Sequence, residues 1–148
     1  VTTILADARL GVIVADSCVS DDDRVWSVRK VVRSRGALIA TAGDILQGRT
    51  FCAWWASGAT EPPDFAFDDA EALVLDDSGL YVFDDNQLGL ERVPCGRETI
   101  GTGGKTAIAV YEALRWQNPR RAVALACKYD KGSRPPVRVY KLRERGSR

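Results

Sequence analysis

The 148-residue sequence contains no histidine. That absence removes the Ser-His-Asp and Cys-His hydrolase families and almost every zinc site built on imidazole. Any hydrolase made from this chain must activate its nucleophile with another base. Charge is nearly balanced, at +1 overall, so no basic field marks a nucleic-acid surface. No apolar run approaches the roughly 20 residues that span a bilayer, and no signal-peptide core is visible. A cytoplasmic protein is expected, with neither nucleic acid nor membrane as a partner. Cysteines are few and scattered. Cys18, Cys52, Cys95 and Cys127 form no C-x-x-C pair, so buried, reduced thiols are expected.

What is present suits one globular domain over residues 1–148, with 45% apolar and 28% charged residues. Such a chain can bury roughly two-thirds of its unfolded surface. "TIGTGGKT" (99–106) resembles a phosphate loop, but the P-loop pattern needs glycine where Thr99 stands. The preceding "PCGRE" makes a poor buried strand. The string reads instead as a tight strand-to-helix turn with Thr102 as N-cap. "SDDD" (20–23) reads as a solvated loop rather than a metal site.

"TTILADA" (2–8) and "GVIVADS" (11–17) read as a hairpin, with Val12–Ala15 apolar throughout as in a strand covered on both faces. "VWSVRKVV" and "ALIATAG" read as a second hairpin turning at Arg35–Gly36. Asp44 caps a helix to about Ser57 that lines up Phe51, Trp54 and Trp55. "EALVLDDSGLYVFDD" is a third hairpin. A helix after Gly103 buries Ala107, Val110, Tyr111 and Leu114, and Asn118–Pro119 opens another. "VRVYKL" (137–142) closes as a strand, and the tail "RERGSR" is expected to fray. Sheets apolar on both faces must be sandwiched, so helices should flank two stacked antiparallel sheets.

Hairpin register brings polar residues together. The first turn places Asp16 opposite residue 3, 4 or 5, beside the start of the chain. The second places Lys30 opposite Thr41, next to Ala40. A hydroxyl at a chain terminus has its own base, because an α-amine titrates near pH ~8 and a neighbouring ammonium lowers that value. An N-terminal threonine nucleophile therefore fits a chain without histidine.

"TTILADARLGVIVAD", "VRKV", "LIATAGD", "IGTGG" and "YDKGS" stand in the order and approximate spacing found in proteasome β-type subunits. The chain resembles the HslV kind of that family, the N-terminal nucleophile (Ntn) hydrolases, over nearly its whole length. The resemblance implies an α+β, four-layer αββα sandwich, with one helical layer shortened because only one helix fits between Asp44 and Glu71. It implies a threonine endopeptidase with Thr2 as nucleophile, Lys30 supplying positive charge and Asp16 orienting Lys30. Ala40 would offer its N–H to the oxyanion, with Thr41 one residue away as the neighbour a register shift would nominate. Thr102 would replace the family's serine beside the terminal amine, and Asp130 and Ser133 would hold that amine and the hydrolytic water. Peptide or unfolded protein would be the substrate of a homo-oligomeric ring, fed by a separate AAA+ unfoldase. No cofactor or metal is implied. Val1 precedes Thr2, so its removal is required, as after initiation at an alternative start codon. A catalytically silent shell protein and a small-amide hydrolase remain open as alternatives.

Overall fold

Residues 2–21, 24–27, 29–58, 63–84, 89–131 and 133–143 are described in the computed structural model, with the backbone alone for 18–21 and 24–27. The chain runs β1 (Ile4–Asp7), β2 (Val12–Ala15), β3 (Cys18–Asp21), β4 (Arg24–Ser27), β5 (Val31–Ser34), β6 (Ala37–Gly43) and α1 (Ile45–Ala56). It continues through β7 (Ala70–Asp76), β8 (Gly79–Phe83), β9 (Glu91–Arg92), β10 (Arg97–Ile100), α2 (Gly104–Ala113), α3 (Pro119–Tyr129) and β11 (Arg138–Lys141).

Two antiparallel sheets result, ordered β10-β1-β2-β11 and β5-β6-β7-β8-β9, with β3-β4 as a separate ribbon. Side-chain alternation sorts their apolar residues into layers. Ile4, Ala6, Ile13 and Ala15 meet Leu38, Ala40, Leu73 and Leu75 between the sheets. Leu5 and Val14 face outward onto Ala107 and Tyr111 of α2 and Val123 of α3. Ile39, Ala72 and Val74 face the other way, onto Phe51 of α1. The order is helices, sheet, sheet, helix, which is the expected four-layer α+β sandwich.

The α1 side is the thin layer. Among the described residues α1 is its one helix, and aromatic rings fill the rest. Phe67 lies 5.6 Å from Phe51 and 4.8 Å from Phe83, centroid to centroid. Trp55 covers the edge of β5, its Nε1–H donating to Ser34 O at 2.9 Å.

Three expectations need correction. "VWSVRKVV" is not one strand, because β4 pairs with β3 whereas β5 pairs with β6. "PCGRE" is, as expected, no buried strand. Arg97 and Glu98 belong to β10, which pairs with β1 at the sheet edge, where polar side chains can reach water. Cys52 and Cys127 are half-buried, but Cys95 is exposed rather than buried. Of "SDDD", Ser20 and Asp21 end β3 rather than lying in a loop, and residues 22 and 23 lie outside the described residues, as do Val1 and the tail from 144 onward. Among the described residues, no helix is long and apolar enough to cross a membrane.

At the far end of β1 from Thr2, the buried Asp7 accepts the Tyr111 hydroxyl at 2.5 Å and the Arg9 N–H at 2.9 Å. Burial, then the neighbouring Asp7 carboxylate, pushes the Tyr111 hydroxyl well above the ordinary tyrosine value. A raised folded-state value means that the unfolded chain gives up this proton first. Stability should therefore be fully present below pH ~10 and decline above it. Denaturant melts of Tyr111→Phe should show a shallower alkaline decline than the parent chain. An identical decline would exclude Tyr111 as its source.

Candidate active site

Thr2 and Thr3 lie just ahead of β1, where the hairpin pairing runs on past Ile4. Thr3 N–H donates to Asp16 Oδ1 at 2.9 Å, and Asp16 N–H donates to Thr3 O at 3.1 Å. Asp16 therefore falls opposite Thr3, one of the three positions expected. Asp16 is 1% exposed, and its carboxylate is held from several sides. Besides Thr3, Lys30 Nζ lies 2.9 Å from Oδ1 and Arg134 N–H donates to Oδ2 at 3.2 Å. A buried carboxylate survives only with this degree of pairing.

Lys30 immediately precedes β5, whose first residue, Val31, faces Ala40. From there Nζ donates to Thr2 Oγ1 at 3.1 Å, with 5% of the Lys30 side chain exposed. The same ammonium thus bridges the Thr2 hydroxyl and the Asp16 carboxylate, and Thr2 is itself 7% exposed.

The "IGTGG" turn walls this centre. Gly103 N–H donates to Thr2 O at 3.2 Å. A Cβ on Gly101 would stand 2.2 Å from Thr2 O, and one on Gly103 would stand 1.8 Å from Thr3 Oγ1. Glycine is required at both positions because the Thr2–Thr3 segment occupies the space of any side chain. The expected cap at Thr102 is not formed. Gly103 takes the N-cap position without a side-chain bond, and Thr102 Oγ1 donates to Asp130 Oδ2 at 2.9 Å. Asp130 Oδ2 also accepts the Ser133 hydroxyl, which sits 2.6 Å from Thr3 Oγ1. Thr102, Asp130 and Ser133 thus form one polar chain that ends on Thr3, the neighbour of Thr2. Gly132, between them in sequence, lies outside the described residues.

Ala40 stands apart from this cluster. It is fully buried in mid-β6, opposite Val31 on one side and Leu73 on the other. Amide directions alternate along a strand, and Asp44 N–H bonds Asp69 O on the β7 side at 2.8 Å. Even-numbered residues of β6 therefore donate towards β7, and the Ala40 N–H is used within the sheet. The Gly43 N–H points the opposite way, past the start of β5. Gly43, at φ +94°, lines a cleft of about 560 Å³ together with Thr2, Ala42, Ala70, Gly101 and Thr102. Ala40 is not among the residues lining it. Among the described residues, no cluster of three or more metal-ligating side chains occurs.

Thr3, Gly43 and Glu71 were not singled out by sequence. Glu71 Oε2 accepts the Gly101 N–H at 3.1 Å, tying β7 to the glycine turn. For Gly43, the available signal was a glycine ending a strand immediately before the Asp44 cap.

No protein-family model matches the sequence, nor does any curated protein. Solved structures do match. Thiobacillus denitrificans BPH, in complex with epoxomicin, superposes with TM-score 0.72 at 18% identity, covering 97% of this chain and all 100% of that one. Eukaryotic HslV from Trypanosoma brucei gives TM-score 0.69 at 20% identity, covering 94% and 98%. The fold is that of HslV and the proteasome β-type proteins. The (Gly-1) mutant of Anbu from Hyphomicrobium sp. strain MC1 shares this HslV-like fold, with TM-score 0.66 at 11% identity, covering 95% of this chain and 82% of that one.

Proposed function

We propose that this chain is a threonine-type endopeptidase whose nucleophile is Thr2, freed by removal of Val1 and of anything before it. The observation that carries this reading is Lys30 Nζ, held between Asp16 and the Thr2 hydroxyl at 2.9 and 3.1 Å. A compact ammonium at that distance stabilises negative charge as it develops on Oγ1. The freed α-amine takes the hydroxyl proton as Oγ1 attacks the peptide carbonyl. It then gives that proton to the leaving amine, so the C-terminal fragment departs and an acyl-threonine ester remains. Water attacks the ester, with the amine again as base, releasing the N-terminal fragment and restoring Thr2.

Gly43, rather than Ala40, offers the oxyanion its N–H in this scheme. One such donor typically contributes about 3 kcal/mol to the transition state. Thr102, Asp130 and Ser133 orient the Thr2–Thr3 segment and, once the amine is free, hold it and the hydrolytic water. Assembly into a homo-oligomeric ring supplied by a separate AAA+ unfoldase belongs to the same proposal.

Epoxomicin, bound in the BPH neighbour, is the natural probe. Intact mass should increase by one inhibitor per chain in the Thr2-exposed protein and stay unchanged in Thr2→Ala. Equal labelling of both proteins would reject Thr2 as the nucleophile.

A further inference from the structure

We infer that Glu71 is a positioning residue: through the glycine turn it fixes where Thr2 stands relative to the Gly43 N–H. This rests on the peptidase reading and adds a residue that acts on the nucleophile from behind.

The nucleophile and the oxyanion donor belong to different sheets. Thr2 leads into β1, whereas Gly43 ends β6. The space between the sheets is apolar, with Ile4, Ala6 and Ala15 against Ala40, Ala42 and Leu73. Such burial holds two sheets together but is non-directional, so a small slide of one over the other costs it little. Aligning Thr2 with Gly43 therefore needs directional bonds from sheet to sheet. Lys30, ahead of β5, provides one, reaching Asp16 and the Thr2 hydroxyl. Glu71 provides another, directed at the backbone beside Thr2.

Glu71 is placed for this role. It pairs with Ala42, one step along the ladder from the Gly43–Ala70 pair. It shares the alternation of Leu73 and Leu75, which face the other sheet. Its Oε2 accepts the Gly101 N–H at 3.1 Å, a charge-assisted bond to backbone. The turn it grips needs an outside hold, because Gly101, Gly103 and Gly104 leave the chain freer than any other residues would. Gly101 also touches Thr2 closely. A Cβ on it would stand 2.2 Å from Thr2 O, and Gly103 N–H donates to that same oxygen at 3.2 Å. The contacts run from Gly43 through Ala42 and Glu71 to Gly101 and Thr2. The Glu71 side chain is the link that substitution can cut.

The test compares the full chain with Thr2 exposed against its Glu71→Ala and Glu71→Gln variants. Glu71 is exposed, so its bond competes with water. The expected loss is accordingly smaller than the about 10²-fold of a full 1 Å displacement. Glu71→Ala should lower kcat about tenfold and leave KM within about twofold, since the bond acts on the reacting geometry. Glu71→Gln keeps an oxygen for the Gly101 N–H and should recover most of that loss. The NMR signal of the Thr2 γ-methyl reads position without chemistry. It should shift in Glu71→Ala and return in Glu71→Gln. Parental kcat in Glu71→Ala, a rise in KM alone, or equal losses in both variants overturns the inference and leaves the peptidase reading standing. No turnover by the parent chain, with the Thr2 signal still shifted by alanine and restored by glutamine, rejects the peptidase reading and supports the positioning. No turnover together with an unmoved signal rejects both.

Discussion

Lys30→Arg should yield a folded protein whose peptide turnover is reduced by about 10³-fold or more. Both groups are cationic, so the expectation depends on shape. Lys30 Nζ makes two contacts from one atom, 2.9 Å to Asp16 Oδ1 and 3.1 Å to Thr2 Oγ1, with 5% of the side chain exposed. Guanidinium spreads its charge over a plane, prefers to fork onto a carboxylate and needs more room than this site has. It should keep the Asp16 pairing and lose the concentrated charge at Oγ1. Removing one well-placed electrostatic donor from an active site costs about 10²–10³ in rate, and misplacing the nucleophile adds to that. Lys30→Met separates catalysis from folding. It removes the ammonium beside the buried Asp16 carboxylate, a loss of about 3–5 kcal/mol. Denaturant melts should show Lys30→Met clearly destabilised and Lys30→Arg much less so, with both inactive. Near-parental turnover by Lys30→Arg would remove Lys30 from the chemistry.

Gly101→Ala carries the second large effect. At φ +88° alanine is already strained, and its Cβ would stand 2.2 Å from Thr2 O and 2.7 Å from Thr2 C. The methyl meets backbone that cannot rotate aside, so the turn and Thr2 must separate. A displacement on the order of 1 Å at a reacting group costs about 10²-fold in rate, and the strain adds about 1–3 kcal/mol of instability. Gly36→Ala is the control. Gly36 has φ +74° but nothing within 4 Å of an added Cβ, so the strain arises far from Thr2. It should lower stability and spare turnover. Equal rate losses in the two variants would mean that strain, rather than contact with Thr2, limits activity.

Register was the most legible feature of the sequence. Turn residues at Arg9–Gly11 and Arg35–Gly36 determined which positions face each other, and the pairs Ile4–Ala15 and Val31–Ala40 agree. From that followed the approach of Asp16 to the chain start and of Lys30 to the small-residue segment of β6. The layer order was legible too, because Val12–Ala15 could be apolar on both faces only if covered on both. What stayed hidden depended on direction. "VWSVRKVV" is apolar enough for one strand, and nothing in it announces the change of sheet between β4 and β5. Ala40 and Gly43 differ in which side of β6 their amides point to, which only the partner strand decides. Thr102 satisfied every local rule for a cap, yet its hydroxyl goes to Asp130, which lies 28 residues away in sequence.

The most direct measurement is peptide mapping by mass spectrometry after epoxomicin treatment, on chains prepared with Val1 retained and with Val1 removed. One inhibitor on the peptide beginning at Thr2, only in the trimmed chain and together with loss of peptide turnover, is the expected result. Turnover by a chain that still carries Val1, or inhibition with the modification on any other residue, would contradict it.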